Sequence, residues 1–181
     1  MNSFLTQNPV SAPSQWVVSH SRRIVPAGLV LDLACGSGRH AIWLAKQGYC
    51  VEAVDRDASL LSGMAGIPNI HLTTADLESG AWPYTAQQFD GIVVSRYLHR
   101  PLLHRLAESL KSGGVLIYET FMLGNERYGK PSHPDFLLQA DELLTTFSSW
   151  LDIVAFEQGE EQVPKPAVMQ RLCAVKAKLA A

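Results

Sequence analysis

Short runs of apolar residues alternate along this chain with stretches whose apolar positions recur every three to four residues. Runs of the first kind predict buried strands and stretches of the second kind predict amphipathic helices. Their alternation is the pattern of an α/β fold with a mostly parallel sheet. Strands are expected over 29–34, 49–54, 70–74, 89–94, 115–121, 151–156 and 168–176, and helices over 13–24, 38–47, 58–65, 101–110 and 140–147. The punctuation agrees. Pro13 opens the first helix and Pro26 lies beyond its end, while Gly48 stops the second. Lys111 suits the negative end of the fourth helix dipole, and Gly113 can take a left-handed cap. Residues 158–166 read as a hairpin connection, which sets an antiparallel pair at one edge of a seven-stranded, doubly wound sheet. The segment 122–134, punctuated by Gly124, Gly129, Pro131 and Pro134, has no period and is expected to be a lid-like loop.

Composition narrows the class. The 181 residues are the size of one domain, and 47% hydrophobic with 18% charged is ordinary globular usage. The organisation expected is one domain over 1–181: an N-terminal helical cap (1–28), a ligand-binding half (29–121), and a substrate loop with the C-terminal strands (122–181). Fifteen Lys+Arg against seventeen Asp+Glu give a formal charge of -2, which argues against a protein that holds nucleic acid mainly by its phosphates. Cys35, Cys50 and Cys173 have no Cys-x-x-Cys spacing, so neither a disulfide framework nor a zinc knuckle is suggested. The N-terminus lacks the basic and apolar regions of a signal peptide, and no apolar run reaches the roughly 18 residues of a bilayer span. A soluble, cytoplasmic protein is expected.

The most informative stretch is Asp32-Leu-Ala-Cys-Gly36-Ser-Gly38-Arg-His-Ala41. Gly36-x-Gly38-x-x-Ala41 satisfies the nucleotide-binding pattern at a strand-to-helix turn, and Asp55 lies where a ribose-binding acid belongs. A dinucleotide would set a pyrophosphate over that turn. Asp32, four residues before the first glycine, would repel it and attract a ligand carrying ammonium and sulfonium groups instead. S-adenosyl-L-methionine has both cations, no phosphate, and a ribose diol for Asp55 to accept from. An NAD-dependent oxidoreductase is therefore a distant reading.

These residues, with Val54-Asp55, Thr74-Ala-Asp76-Leu77, Phe89-Asp90 and the run from Leu110 to Gly114, resemble the landmarks of class I S-adenosylmethionine-dependent methyltransferases. Within that family the chain is most similar to the small bacterial tellurite-resistance and thiopurine types. The resemblance implies a Rossmann-like fold and places Asp32, Ala34 and Gly36 around the methionine moiety, with Ser37, Gly38 and Ser95 beside them. It gives the ribose to Asp55, and the adenine to Asp76, the Leu77 backbone and Arg56.

In an open α/β sheet the substrate crevice lies outside the carboxyl ends of the strands. After the fourth strand the chain is basic: Arg96, His99 and Arg100, then His104 and Arg105. An Asn/Asp-Pro-Pro-Tyr motif, common in enzymes that methylate adenine or glutamine nitrogen, is missing there. Arg96 and His99 are the candidates for the pocket, an arginine fork for an anionic acceptor and an imidazole for a proton. Glu119, at the end of the fifth strand, is a third catalytic candidate, either as a base or paired with Arg96 or Arg127. Trp16 is expected either to pack in the core or to cover the site. No metal is implied, because the histidines lack ligand spacing. The function expected is methyl transfer from S-adenosylmethionine to a small, anionic or thiol-like molecule. The alternatives are an RNA or protein methyltransferase acting with a partner, and a non-catalytic module that binds the nucleoside.

Overall fold

The computed structural model describes residues 11–163 and 165–178, so the first ten residues of the expected cap and the last three of the chain lie outside the described part. Seven strands form one sheet in the order β3-β2-β1-β4-β5-β7-β6. They are β1 (Leu29–Leu33), β2 (Cys50–Asp55), β3 (Ile70–Thr74), β4 (Phe89–Ser95), β5 (Leu110–Phe121), β6 (Asp152–Glu161) and β7 (Ala167–Val175). The first five run parallel, and β7 is antiparallel to both β5 and β6. The architecture expected from the hydrophobic pattern is the one observed.

Alternation along each strand divides the core between two layers. Leu31 and Leu33 face a cluster completed by α4 (Leu103–Ser109) and α5 (Glu142–Phe147), with Leu106, Leu143 and Phe147 buried in it. Val30 faces the other layer, where α1 (Gln15–Ser21), α2 (Arg39–Lys46) and α3 (Ala58–Ser62) contribute Val17, Leu44 and Leu61. With both faces covered, the central strands read as continuous apolar runs. Strand order reverses between β1 and β4, and the crevice of such a sheet opens beyond their carboxyl ends.

Element boundaries shift for identifiable reasons. The first helix starts only at Gln15, because the Ser14 hydroxyl accepts the Trp16 N–H (3.2 Å) and acts as its N-cap. The expected helix over 101–110 divides into a 3-10 turn at Arg100–Leu102 and α4. Lys111 does not serve the helix dipole. Its ammonium meets Asp90 (2.8 Å), whose carboxylate also accepts the Leu29 N–H, so one acid joins the starts of β1, β4 and β5. Gly113 does take a left-handed conformation (φ +80°), within β5. Strand β6 runs five residues beyond its apolar pattern, to Glu161. Main-chain pairing with β7 needs no apolar side chains, and Arg171 of β7 pairs with both Glu157 and Glu161 of that polar extension.

Trp16 packs into the layer that holds α1, its indole N–H donating to the Leu172 carbonyl (3.3 Å). It is half-buried against the core and lines neither cavity of the crevice.

Gly38 has a steric reason to be glycine. Its φ is +78°, and a Cβ there would overlap the sulfur of Met64, a buried residue just beyond α3. Gly38→Ala is expected to destabilise the fold by about 2 kcal/mol or more. Met64→Ala in the same chain should recover part of that loss. Urea unfolding of both single variants and the double gives the coupling, and strictly additive effects would refute the role of Met64.

Candidate active site

Beyond β1 the backbone is forced through three left-handed residues, Ala34 (φ +51°), Gly36 (φ +56°) and Gly38. Gly38 is the N-cap of α2 and has no side chain with which to cap it. Asp32 supplies the missing acceptor from the strand, its Oδ2 taking the Ala41 N–H at 2.8 Å. This satisfies one of the orphan donors in the first turn of the helix. Asp32 is only 1% exposed, and burial pushes its carboxyl up to about 7, against the opposing pull of the Ala41 N–H and the Arg39 charge. The expectation that Asp32 points into the ligand pocket is corrected: its carboxylate is turned under the glycine turn, as a brace.

Asp55 braces the same turn from the end of β2. One carboxylate oxygen accepts the Gly36 N–H (2.8 Å) and the other accepts the Asp57 N–H (3.0 Å). Two strand-end acids thus hold one loop, Asp32 through its far end and Asp55 through its middle.

A cavity of about 180 Å³ opens beside Asp55. Ala34, Asp55, Arg56, Asp76 and Leu77, all named from the sequence, line it together. Asp76 is exposed, and the Ser79 hydroxyl (2.5 Å) with the Glu78 and Ser79 amides hold its carboxyl below the usual range. Glu78 adds a third carboxylate against the one cation, Arg56. Such a wall repels a pyrophosphate and suits a nucleoside with a cationic tail. These acids, and not Asp32, are the carboxylates that line the cavity.

Gly36, Ser37, Gly38 and Ser95 do not line this cavity. A Cβ on Gly36 would meet nothing within 4 Å, so open space lies over the turn. Sequence reasoning missed Ala75, Glu78 and Tyr97 of this lining, and Tyr97 is the one with chemistry to spare. It lines the cavity, and its hydroxyl is buried without a hydrogen-bond partner among the described residues, while its own carbonyl accepts from the Tyr118 hydroxyl (2.9 Å). A buried, unsatisfied hydroxyl is costly unless a ligand completes it. The available signal was its place just past the carboxyl end of β4.

The other sequence candidates separate. Glu119 is 3% exposed, and its carboxylate accepts from the hydroxyls of Ser14 (2.6 Å) and Ser95 (2.8 Å) and from Arg171 Nε (3.4 Å). Arg39 lies 3.7 Å away and also donates to Ser95 (2.8 Å). Its partners are therefore Arg39 and Arg171, not Arg96 or Arg127. Arg127 pairs instead with Glu160 (3.4 Å). Only the Arg96 backbone reaches Glu119, its N–H donating to the Glu119 carbonyl (2.9 Å). His99 sits at the start of the 3-10 turn and lines neither cavity of the crevice. Arg100 is structural: it forks onto Glu142 (2.6 and 3.0 Å) and donates to the carbonyls of Asp135 and Leu137. Arg105 pairs with Glu108, so the basic run seen in the sequence disperses.

Residues 30–114 match the family described as a methyltransferase domain. The chain is 37% identical over 109 residues to the protein-L-isoaspartate O-methyltransferase of Chlorobaculum tepidum; the match takes in 57% of this chain and about half (49%) of that protein. Among solved structures, TehB from Haemophilus influenzae superposes with a TM-score of 0.77 at 20% identity, over 92% of this chain and 63% of that one. The Burkholderia thailandensis 1,6-didemethyltoxoflavin-N1-methyltransferase, solved with its substrate and S-adenosylhomocysteine, gives 0.69 at 16% identity, over 90% of this chain and 77% of that one. The fold is that of class I methyltransferases. The match over 30–114 and the superpositions make this chain similar to a methyltransferase domain in sequence over that stretch and to class I methyltransferases, TehB among them, in fold.

Two buried groups set opposite pH slopes on stability. Asp32 titrates near 7 when folded against 3.8 ordinarily, so the folded state loses stability as pH rises between those values. His40, whose Nε2 accepts the Ser14 N–H (3.2 Å), is pushed down by burial from 6.5 to about 4, so stability falls as pH drops through that window. Asp32→Asn should leave a chain that gains stability more steeply than wild type from about pH 4.5 to 6.5, and His40→Gln one that loses it. Urea unfolding across that range decides, and parallel slopes in all three proteins would refute the assignment.

Proposed function

We propose that the protein transfers a methyl group from S-adenosyl-L-methionine to a small-molecule acceptor that is anionic or thiol-like. The observation that carries this reading is the acidic cavity beside the glycine turn, with Asp55 braced, Asp76 held ionised and the Tyr97 hydroxyl unsatisfied. Asp55 keeps lone pairs for a ribose diol, Asp76 and the Leu77 backbone face the adenine edge, and the Arg56 side chain covers its face. The open space over Gly36 leaves room for the methionine end.

The bound cofactor supplies an electrophilic methyl: the acceptor's lone pair forms the new bond to carbon as the carbon–sulfur pair returns to sulfur, leaving S-adenosylhomocysteine. The chain's task is alignment, since proximity and orientation account for several kcal/mol of such a barrier. The Glu119 carboxylate, already the acceptor of several donors, positions Ser95 and Arg39 at the mouth of the crevice and is not a free base. Among the described residues no buried base lines either cavity to receive a proton from the acceptor, which favours acceptors that reach the site ionised, as a thiolate or oxyanion. The three cysteines without a disulfide suit a reducing, cytoplasmic compartment.

A protein acceptor is the second reading, favoured by the identity shared with the isoaspartate enzyme. The test that separates the readings is S-adenosylhomocysteine release, with peptides and with a panel of thiols, oxyanions and small acids. Release with none of them, together with tight cofactor binding, would point to a non-catalytic module.

Calorimetry with S-adenosylhomocysteine tests the cofactor site directly. Asp55→Ala should weaken binding at least about tenfold, the loss of charge-assisted hydrogen bonds to two hydroxyls. Tyr97→Phe should weaken it by a smaller factor without lowering stability, because the hydroxyl has no protein partner to lose. Binding of NADH in place of the adenosyl ligand would overturn the reading.

A further inference from the structure

A second cavity, of about 360 Å³, lies on the same edge of the sheet and shares no lining residue with the first. Arg96 comes from the end of β4, Phe121 from the end of β5, Tyr128 and Lys130 from the loop after it, and Lys165 from the β6–β7 connection. Because β7 runs antiparallel, its start falls at the carboxyl edge that β4 and β5 reach with their ends. Arg96 and Tyr97 are consecutive residues that line different cavities, so the two open side by side.

The polar groups here are already spent, with one kind excepted. Asn125 is a strut, its amide donating to the Pro131 carbonyl (3.1 Å) and accepting the Val168 N–H (3.2 Å). Glu161 is held by Arg171. Glu160 beside the Tyr128 hydroxyl pushes its pKa up. Arg96, Lys130 and Lys165, by contrast, form no ion pair with any described residue. What the cavity offers is three free cations and two rings, Phe121 with the Arg96 guanidinium over it (6.0 Å) and the 40% exposed Tyr128.

Arg96 also sits in the left-handed region (φ +57°), a conformation that an arginine adopts at a cost, held there by the bond from its N–H to Glu119. That strain delivers the guanidinium to this cavity and not to the cofactor side.

Building on the methyltransferase reading above, we propose that this second cavity binds the methyl acceptor and that the acceptor is an organic acid with a flat apolar body. Its carboxylate is held by Arg96, Lys130 and Lys165, and its body lies against Phe121 and Tyr128. A bare inorganic oxyanion would satisfy the cations and leave both rings and most of the volume unfilled. A neutral aromatic would leave three cations uncompensated. The volume is in the range of sites that enclose small organic ligands.

The experiment is calorimetric titration of the full chain, first with S-adenosylhomocysteine and then, once saturated, with 2-naphthoate, 2-naphthamide and selenite in turn. Naphthoate should bind at least tenfold more tightly than the amide and than selenite. The double variant Lys130→Gln/Lys165→Gln, both at exposed positions, should lower naphthoate affinity at least tenfold and leave S-adenosylhomocysteine affinity unchanged. Equal binding of acid and amide, tighter binding of selenite, or no binding of naphthoate would overturn the proposal. Failure of the first titration would overturn the methyltransferase reading instead, so the two outcomes are read separately.

Discussion

The architecture of the carboxyl edge depends on how one glycine turn is held. A turn that threads three left-handed residues has little intrinsic preference for a single shape, and Gly38 cannot cap the helix it begins. Asp32 and Asp55 solve this from two adjacent strands whose register is fixed by parallel pairing, Leu33 opposite Val54. One takes the Ala41 amide, the other the Gly36 amide. The first strand is buried on both faces, so neither acid can shift without moving the centre of the sheet. The cavity beside Asp55 inherits its rigidity from that constraint.

A third acid organises the opposite side of the crevice. Glu119 gathers Ser14 from the N-terminal segment, Ser95 from β4 and Arg171 from β7 around one buried carboxylate, with Arg39 of α2 beside it. Removing one member of such a network strands the others, which is why buried networks of this kind specify geometry more than they add stability. The same residue's backbone carbonyl sets Arg96, so the second cavity and the N-terminal helix share a single reference point.

The sheet was legible in the sequence because burial on both faces writes continuous apolar runs, and the turn was legible because glycines at positive φ leave a spacing. Of the residues that line the cavity beside Asp55, Asp55 itself followed from that spacing, and Ala34, Arg56, Asp76 and Leu77 from the resemblance to methyltransferase landmarks. The directions of the acids did not. Asp32 stands in the order expected of a ligand contact, yet its carboxylate completes a helix cap, and no linear pattern separates those two uses. Glu119 lies 80 residues from Arg39 and 52 from Arg171, so its partners depend on strand order and not on proximity in the chain. The polar half of β6 was hidden for a related reason, since its stability comes from main-chain pairing and from Arg171, neither of which leaves an apolar alternation. Tyr97 carried only its position, and its meaning rests on a hydroxyl whose isolation appears in three dimensions alone.

The loop after β5 is pinched at its base. Met122 bridges to Leu138, the Leu138 N–H donates to Phe121 and the Leu123 N–H to Leu138, while Arg100 ties the residues just before the junction to α5. The ends of the loop are therefore fixed by the scaffold whatever lies between them. Closing a longer or shorter segment across fixed ends changes the entropy only slowly with length. Residues 123–137 are in effect an exchangeable cassette: their length and sequence can change with the parallel strands of the sheet left as they are.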